Sequence, residues 1–376
     1  MDLHTLLKEL IAIDSTSCLS NEPMVSYIEQ YFKDTDVICY RQPTSNEGKF
    51  NLLLLKGEPS EEGLTLCGHM DTVPASSSKW QSDPWTLTER EGNYYARGSC
   101  DMKGFVSIAL QALKDAVVGR GCLAVLLACD EELGSFGAKH ILHEGLPVTI
   151  PKQVIIGEPT SLQVVRLHKG HLSMSVTIEG VSAHTGFPHL GKNAAVEGGK
   201  IICSISELSK RYEGMRTKAS EYFPDSAKFP VLTVSTVESG SAINVVPDTC
   251  EIGIGLRLLP DQSKEIVVEE IKEAIDSVCE LPWNIKELGD NPTMLTSDQA
   301  AVNQWLCSQI GQNESIGVSY GTDGGYLTRA GYDCVLYGPG DIGVAHKPDE
   351  FVPIHELEQC VLTISSAVNN FCGSAT

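Results

Sequence analysis

Residues 63–75 read GLTLCGHMDTVPA, an apolar run that ends on an imidazole and a carboxylate, His69 and Asp71. Continuously apolar runs are typical of strands that are covered on both faces of a sheet. A buried strand gains no stability from either polar group unless each group has a partner. The stretch therefore predicts a strand whose end carries a functional site, and the partners of both groups must come from elsewhere in the chain.

Similar apolar runs recur along the first part of the chain and alternate with helical patterns. An amphipathic helix is predicted over 103–117, and a second one over SFGAKHILHEG, residues 135–145. Strands that alternate with helices indicate an α/β sheet with helices on both faces. The other predicted strands of this type are NLLLL (51–55), CLAVLLAC (122–129) and QVIIG (153–157).

The pattern changes near residue 171, where HLSMSVTIEG alternates apolar and polar residues like a strand with one buried face. The elements that follow complete the order βαββαβ, which is that of a ferredoxin-like domain. We therefore expect an α+β domain, residues 171–289, inserted into an α/β domain formed by residues 1–170 and 290–376. The predicted elements are helices at 192–211, 263–279 and 354–371, and strands at 231–238, 249–258 and 283–288.

The composition narrows the possible partners and compartments. A net charge of −21 over 376 residues disfavours nucleic acid and anionic membrane surfaces. The 13 cysteines contain no CxxC pair and lie mostly inside apolar runs, which indicates reduced thiols in a reducing compartment. The first residues lack the pattern of a signal peptide, and no apolar run reaches the roughly 18 residues of a membrane span. We therefore expect a cytoplasmic protein.

Acidic and imidazole side chains follow the apolar segments of the larger domain. In open α/β sheets, sites form outside the carboxyl ends of the strands, so these side chains are expected to meet at one edge. A lone HxD, DEE or GEP motif is more often structural, and it is the joint placement that indicates a site. The side chains are His69, Asp71, Asp101, Asp130, Glu131, Glu132, Glu158 and His346.

A cluster of carboxylates repels itself unless cations lie among its members. Two histidines with several carboxylates suit Zn²⁺, and Co²⁺ or Mn²⁺ are alternatives. Two ions bridged by one carboxylate would neutralise the cluster and open a two-metal hydrolytic mechanism. Structural zinc sites favour Cys-rich ligand sets, and no cysteine pair here has that spacing, which argues against a zinc-stabilised structural protein.

Six motifs together resemble the M20 family of dinuclear zinc aminoacylases and peptidases. The resemblance spans most of the chain and implies a zinc-peptidase-like α/β/α catalytic domain, with the inserted domain as its lid. Within the family, the segment IIGEPTSLQVVRLHKGHLSMSV is most similar to enzymes that deacetylate N-acetylornithine. The motifs are GHMDTVP, ARGSCDMKG, DEELGSFGA, GEPTSL, GVSAHTGFP and GPGDIGVAHKPDEFV.

The resemblance implies two divalent metal ions per chain and a ligand role for five residues. Asp101 would bridge both ions. His69 and Glu158 would complete one metal site, and Glu132 and His346 would complete the other. Zinc is the expected metal in both positions.

Three further residues take catalytic roles by the same resemblance. Asp71 would hold the ring of His69 and fix its tautomer. Glu131 would be the general base that takes a proton from a water between the metals and passes it to the leaving amine. His184, in the inserted domain, would reach the active site of a partner subunit and stabilise the oxyanion. That role implies a homodimer joined through the lid.

Recognition of a substrate carboxylate needs a cation or a dense set of donors. Arg257 lies on the polar face of the strand CEIGIGLRL, and the resemblance adds Asn244 as a donor. In YGTDGGYL, Gly321 and Thr322 could form a glycine-rich loop whose N–H groups face an anion, and Asp323 is a candidate to bind a substrate amine. The other acids near the end of the last motif are interpreted as surface charges: Asp341, Asp349 and Glu350.

The resemblance implies hydrolysis of an N-acyl amino acid, with N-acetylornithine giving ornithine and acetate in arginine biosynthesis as the leading expectation. Two alternatives keep the mechanism and change the substrate to succinyl-diaminopimelate, or to another N-acyl amino acid or dipeptide. A non-catalytic metal-binding protein is an alternative from a different class. Glu131 argues against it, because a pure binder has no use for an unligated base beside the metals.

Overall fold

The computed structural model describes residues 2–374. Within these residues the chain forms nine α-helices. They are α1 (Leu3–Ile11), α2 (Glu22–Phe32), α3 (Lys103–Asp115), α4 (Phe136–Glu144), α5 (Ala194–Glu213), α6 (Lys264–Asp276), α7 (Ala301–Ile310), α8 (Gly324–Arg329) and α9 (Ile354–Cys372). None of these helices is both long enough and apolar enough to cross a membrane.

The same residues form eighteen strands, several of only two or three residues. They are β1 (Ile38–Pro43), β2 (Phe50–Gly57), β3 (Gly63–His69), β4 (Thr88–Arg90), β5 (Asn93–Tyr95), β6 (Cys122–Ala128), β7 (Gln153–Ile156), β8 (Val165–His168), β9 (Gly170–Glu179), β10 (Ala183–His184), β11 (Val231–Ser239), β12 (Val245–Val246), β13 (Thr249–Leu258), β14 (Trp283–Asn291), β15 (Met294–Leu295), β16 (Ile316–Val318), β17 (Asp333–Leu336) and β18 (Phe351–Pro353).

The chain divides into two compact units. Unit 1 contains the residues up to Leu167, Met294–Ile316 and the residues from Thr322 onward. Unit 2 contains His168–Thr293 together with Gly317–Gly321. The short return of Gly317–Gly321 to unit 2 is a feature that the sequence pattern does not indicate, because these five residues carry no periodic apolar signal.

Unit 1 is built on a mixed sheet with the strand order β1-β2-β6-β3-β7-β17-β8-β15. The central pairs β6–β3, β3–β7 and β7–β17 are parallel, so their carboxyl ends share one edge. The register pairs His69 with Ala128, and Ile156 with both Cys67 and Leu336. Because the residues after each strand continue past that edge, the loops after β3, β6, β7 and β17 all emerge together.

Apolar burial holds this sheet in place and explains the continuous hydrophobic runs of the sequence. Leu66, Val125 and Ile155 on the central strands are fully buried in one core with residues of α1, α3 and α9. Each such side chain stabilises the fold by about 1.5–3 kcal/mol relative to an exposed one. The loops at the sheet edge are therefore carried by a rigid support.

Unit 2 is a four-stranded antiparallel sheet in the order β11-β13-β9-β14, with α5 and α6 packed in its core. Chain order and sheet order together are those of the ferredoxin-like arrangement. The alternation in β9 divides the strand as the sequence predicts, with Leu172, Met174, Val176 and Ile178 buried. Strand β14 runs to Asn291, beyond the predicted end at 288, through an irregularity between Glu287 and Gly289.

Candidate metal centre and active site

Five ligand candidates meet at the carboxyl edge of the sheet of unit 1. His69 is the last residue of β3, and Glu158 follows β7 by two residues. Glu132 lies in a short 3₁₀ turn, Glu131–Leu133, that follows β6. Asp101 precedes α3, and His346 lies between β17 and β18. The parallel register brings these sites together although they span most of the sequence.

The Asp101 carboxylate lies between the two imidazoles. Its Oδ1 is 3.0 Å from Nε2 of His69, and its Oδ2 is 3.3 Å from Nε2 of His346. A carboxylate oxygen of Glu132 lies 2.9 Å from the same Nε2 of His346. Each oxygen of Asp101 therefore faces a different histidine, which is the arrangement expected of a carboxylate shared between two cation positions.

The electrostatics of the cluster fit a cation. Burial, followed by the charge of Glu158, raises the pKa of Glu131 well above its usual range. Burial and the charge of Asp101 do the same to the pKa of Glu158. Burial also works to raise the pKa of Asp101, but hydrogen bonds from His346 and His69 outweigh it and lower that pKa. The negative charge of the crowded carboxylates is thus only partly compensated by nearby positive groups.

The donor set also fits a divalent metal. One ligand atom from each of His69, Asp101 and Glu132 lies within 4.8 Å of the others. Imidazole nitrogens combined with carboxylate oxygens are ligands of Zn²⁺, and of Co²⁺ or Mn²⁺. His69 and Asp101 are buried, whereas the side chain of His346 is 49% exposed, so the cluster has one ligand on its open side. The residues present are therefore a candidate metal centre.

Asp71 contacts His69 in a different way from the prediction. The ring Nδ1 of His69 lies 2.9 Å from the backbone carbonyl of Asp71, whereas the Asp71 carboxylate is 3.7 Å away. The carboxylate instead accepts hydrogen bonds from the backbone N–H groups of Glu131 and Glu132, at 3.1 and 3.2 Å, and from the hydroxyl of Ser17 at 2.9 Å. Asp71 therefore fixes the ring through its backbone and the turn after β6 through its side chain.

A buried ion pair supports the same turn from the other side. Asp130, which has a left-handed backbone with φ of 54°, is paired with the ammonium group of Lys49. Lys49 also donates to the backbone carbonyl of Ser17 at 2.6 Å. Lys49 thereby fixes the start of the turn that carries Glu131 and Glu132, and the Asp71 carboxylate fixes its backbone.

The stretch YGTDGGYL, residues 320–327, leads into the start of α8. Thr322 and Asp323 are buried, and residues from Gly324 onward begin α8. The N–H group of Gly324 donates to the Thr322 hydroxyl at 3.0 Å, and that of Gly325 to the Thr322 carbonyl at 3.3 Å. These two N–H groups are used within the helix start, and an anion-binding role for the N–H groups of Gly321 and Thr322 stays a prediction. Gly321 belongs to unit 2, beside Asn291.

Asp323 lies deep in unit 1. It is 1% exposed, and burial raises its pKa to about 7. It is hydrogen-bonded to Ser135, whose hydroxyl lies 3.4 Å from Oε1 of Glu131. Its Oδ1 is buried and has no hydrogen-bond partner, and the contact with a substrate amine stays a prediction.

Three further predicted residues lie in unit 2. His184 is in the short strand β10, which pairs with β12, and the backbone N–H of Thr185 donates to the Asn244 carbonyl at 3.1 Å. His184 and Asn244 are both exposed and lie close together. Arg257 lies on β13 opposite His171 of β9.

Arg257 belongs to a cationic cluster that sequence reasoning missed. Burial, with the charge of Arg257 nearby, lowers the pKa of Lys169 to about 8 and also lowers that of His171. His168 is fully buried, and its Nε2 has no hydrogen-bond partner. Within residues 2–374 no carboxylate forms an ion pair with Arg257. The segment LHKGH was the available signal, because it carries three titratable bases in four residues.

Glu350 corrects a further prediction. Its interpretation as a surface charge is wrong, because it is 1% exposed and paired with Arg97, its Oε2 lying 2.5 Å from a guanidinium nitrogen. Asp341 is exposed as predicted, and Asp349 is half-buried with Oδ1 accepting a hydrogen bond from the Gln81 N–H at 2.9 Å. No spacing pattern distinguishes Glu350 from its acidic neighbour in the sequence.

Comparisons with known proteins agree on one family. The description "Peptidase family M20/M25/M40" matches residues 65–370. The chain is 33% identical over 380 residues to an acetylornithine deacetylase from Myxococcus xanthus, covering 99% of this chain and 98% of that protein. Its fold is similar to the M20 family metallo-carboxypeptidase Sso-CP2 from Sulfolobus solfataricus, with a TM-score of 0.76, 19% identity and 99% of each chain covered. It is also similar to the Bacillus subtilis YXEP protein, a dinuclear metal binding peptidase, with a TM-score of 0.72, 11% identity, and 99% and 98% of the two chains covered.

Proposed function

The chain belongs to peptidase family M20/M25/M40, whose members hydrolyse amide bonds, and on that premise we propose that it removes the acetyl group from N-acetylornithine. The products would be ornithine and acetate, as in arginine biosynthesis. The observation that carries the hydrolytic part is the pair of imidazoles that face opposite oxygens of Asp101. The substrate rests on the similarity to acetylornithine deacetylases over nearly the whole chain.

The proposed metal ligands divide into two sets that share Asp101. His69 and Glu158 would hold one ion, and Glu132 and His346 the other. We propose zinc in both positions, with cobalt or manganese as substitutes. When bound, such ions lower the pKa of water and polarise the amide carbonyl.

The protein residues would move one proton and stabilise one developing charge. Glu131 would take a proton from the attacking water while the water oxygen bonds to the acyl carbon. As the C–N bond breaks, Glu131 would give that proton to the leaving nitrogen. Asp71 keeps Glu131 in place through the backbone N–H groups of the turn. His184 of a partner subunit would donate a hydrogen bond to the oxyanion.

The cationic cluster of unit 2 supports recognition of a carboxylate. We propose that Arg257 binds the carboxylate of the amino acid, because its guanidinium has no ion-pair partner within the described residues. Asn244 would be a further donor to the substrate. The nearby Lys169 adds positive potential to the same region, whereas burial keeps His168 neutral.

The same cluster favours a second candidate substrate. Succinyl-diaminopimelate carries more carboxylates than N-acetylornithine, and the guanidinium of Arg257 near the ammonium of Lys169 suits a more anionic substrate. The mechanism and the metal ligands would be unchanged. Other N-acyl amino acids and dipeptides are the remaining alternatives within the family.

A homodimer joined through unit 2 is supported by exposed apolar side chains in residues 181–196, which include His184, and next to Asn244. Surface patches of this kind mark protein interfaces. The proposed dimer would bury them and bring His184 to the site of the partner subunit. The exposed residues are Val181, Phe187, Leu190, Val196 and Ile243.

We further propose that the protein works in the cytoplasm. All 13 cysteines are free, and nine of them are buried, as expected in a reducing compartment. The buried thiols next to the metal centre, Cys67 and Cys100, have pKa values raised by burial, which keeps them protonated and unreactive.

The test is hydrolysis of N-acetylornithine by purified protein before and after chelator treatment, with zinc or cobalt added back. Succinyl-diaminopimelate and an N-acetylated neutral amino acid are assayed in parallel. Glu131→Gln should lower kcat by about 10²–10⁴-fold while metal content is unchanged. Glu144→Gln, at the exposed end of α4, is the matched control. Turnover of only the succinyl substrate would overturn the proposed specificity. If metal-loaded protein hydrolysed none of the three substrates, the result would favour a non-catalytic metal-binding protein.

A further inference from the structure

Glu350 is a deeply buried acid near the metal centre that is not one of its proposed ligands. It is 1% exposed and lies four residues after His346, in the same loop. Its carboxylate does not point to either histidine but to the backbone that precedes α3. A buried charge in such a position is costly unless it is fully paired.

Every oxygen of the Glu350 carboxylate is used. Oε1 accepts hydrogen bonds from the backbone N–H groups of Cys100 and Asp101, both at 3.0 Å. Oε2 lies 2.5 Å from a guanidinium nitrogen of Arg97. The backbone carbonyl of Glu350 accepts a third N–H, that of Ala96, at 3.1 Å. One residue therefore holds both ends of the segment from Ala96 to Asp101.

Arg97 is itself fixed, so it can orient Glu350. It is buried, its guanidinium lies over the ring of Trp80 at 5.3 Å, and a second nitrogen is 3.5 Å from the Pro74 carbonyl. Hydrogen bonds between charged groups are about twice as strong as neutral ones. The pair is therefore a rigid connection between the loop of His346 and the segment of Asp101.

This connection acts on the carboxylate that faces both histidines. The N–H group bonded to Glu350 belongs to Asp101 itself, so the bond fixes the backbone from which that side chain projects. Oδ1 and Oδ2 of Asp101 can face His69 and His346 together only if this backbone is held. A small rotation there would move both oxygens at once.

We propose that Glu350, oriented by Arg97, is a positioning residue for the shared carboxylate of Asp101 and sets the affinity of both metal positions. The proposal rests on the metal-dependent function proposed above. Glu350 and Arg97 contact neither the donor atoms of the proposed metal ligands nor the substrate. They nevertheless determine how those ligands are arranged.

The experiment measures Co²⁺ binding to chelator-treated full-length protein by calorimetry and by the visible absorption spectrum of the ion. In Glu350→Gln the amide can accept from the two N–H groups or from Arg97, but not from both. We expect both Co²⁺ affinities to fall about 10–100-fold, the usual effect of losing a partner behind the ligands, and the spectrum to change. Glu29→Gln is the matched control, because it removes a similar contact with Arg41, at 2.6 Å on another part of unit 1.

The outcomes separate this inference from the proposed function. Wild-type protein that binds no Co²⁺ would overturn the metal-dependent function and this inference with it. Wild-type binding with equal affinities and spectra in Glu350→Gln would overturn the inference alone. If Glu350→Gln does not fold, Arg97→Lys decides, because it keeps the charge and loses the guanidinium that contacts both Glu350 and the Pro74 carbonyl. Weaker Co²⁺ binding by folded Arg97→Lys supports the inference, and unchanged binding contradicts it.

Discussion

Replacing Lys49 by methionine tests whether a buried ion pair holds the turn that carries Glu131. Lys49 is paired with Asp130, which is 1% exposed, and both side chains are removed from water. Methionine fills a similar volume but leaves the Asp130 carboxylate without its cation. Removing one partner of a buried pair costs about 3–5 kcal/mol, because a buried charge is left uncompensated. Since 1 kcal/mol shifts Tm by about 2–4 °C in a unit of this size, unit 1 should lose roughly 6–20 °C.

The loss of stability in Lys49→Met should also depend on pH and should be larger at high pH. Burial raises the pKa of Asp130 even in the presence of Lys49, whose hydrogen bond and charge lower it. Without Lys49 only weaker opposing contacts remain, so the folded-state pKa rises further above the unfolded value. A carboxyl with a raised folded pKa destabilises the fold as pH rises through that pKa, because the folded state binds the proton more tightly. The deficit of Lys49→Met should therefore be larger at pH 8 than at pH 5.

The assay is thermal unfolding of chelator-treated protein, so that metal occupancy does not vary with pH. Lys152→Met is the matched control, because Lys152 forms an exposed pair with Glu61 at 2.8 Å, and such pairs contribute about 0–1 kcal/mol. The double variant Lys49→Met/Asp130→Asn should be more stable than Lys49→Met, since no unpaired charge is left. A Tm loss no larger than that of Lys152→Met, or a deficit independent of pH, would refute the reasoning.

Two further predictions concern unit 2. If His184 serves the site of the partner subunit, co-expressed His184→Ala and Glu131→Gln chains should regain about a quarter of wild-type activity. Half of the dimers are then hybrids, and each hybrid has one intact site out of two. Activity no higher than that of the separate variants would exclude the shared site. Burial lowers the pKa of His168 to about 4, so the unfolded state binds a proton before the folded state does as pH falls. Wild-type protein should lose roughly 3 kcal/mol from this residue between about pH 6.5 and 4. The pH dependence of the Tm of unit 2 should be shallower by that amount in His168→Gln, and parallel curves would contradict the assignment.

The strands of the main sheet were predictable because they are buried on both faces. The run CLAVLLAC becomes β6, Cys122–Ala128, and LTLCG becomes part of β3, Gly63–His69. Strand β1, Ile38–Pro43, was not predicted, because it is half-exposed and lacks both a continuous apolar run and a clear alternation. The two-residue strands carry no periodic signal at all.

The ligand candidates were predictable and their supports were not. His69 and Glu158 follow apolar strands, so position alone indicates a shared edge. Lys49 and Glu350, in contrast, lie in loops, and their partners are 81 and about 250 residues away in sequence. Only the pairing of the strands in the folded sheet brings such residues together, and a single sequence does not reveal that pairing.

The two buried ion pairs have a common consequence for the metal centre. Lys49 and Arg97 compensate Asp130 and Glu350, which hold the loops, and neither cation pairs with the proposed ligands. The ligand carboxylates are thus held in position although they repel one another. The packing of unit 1 offsets the free energy of this repulsion. A divalent cation that binds relieves the repulsion without having to order the loops, so its binding should stabilise the fold by an amount that grows with the logarithm of its affinity. The arrangement therefore favours tight metal binding by rigid support of the ligands, and it explains why residues that touch no ligand atom should change that binding.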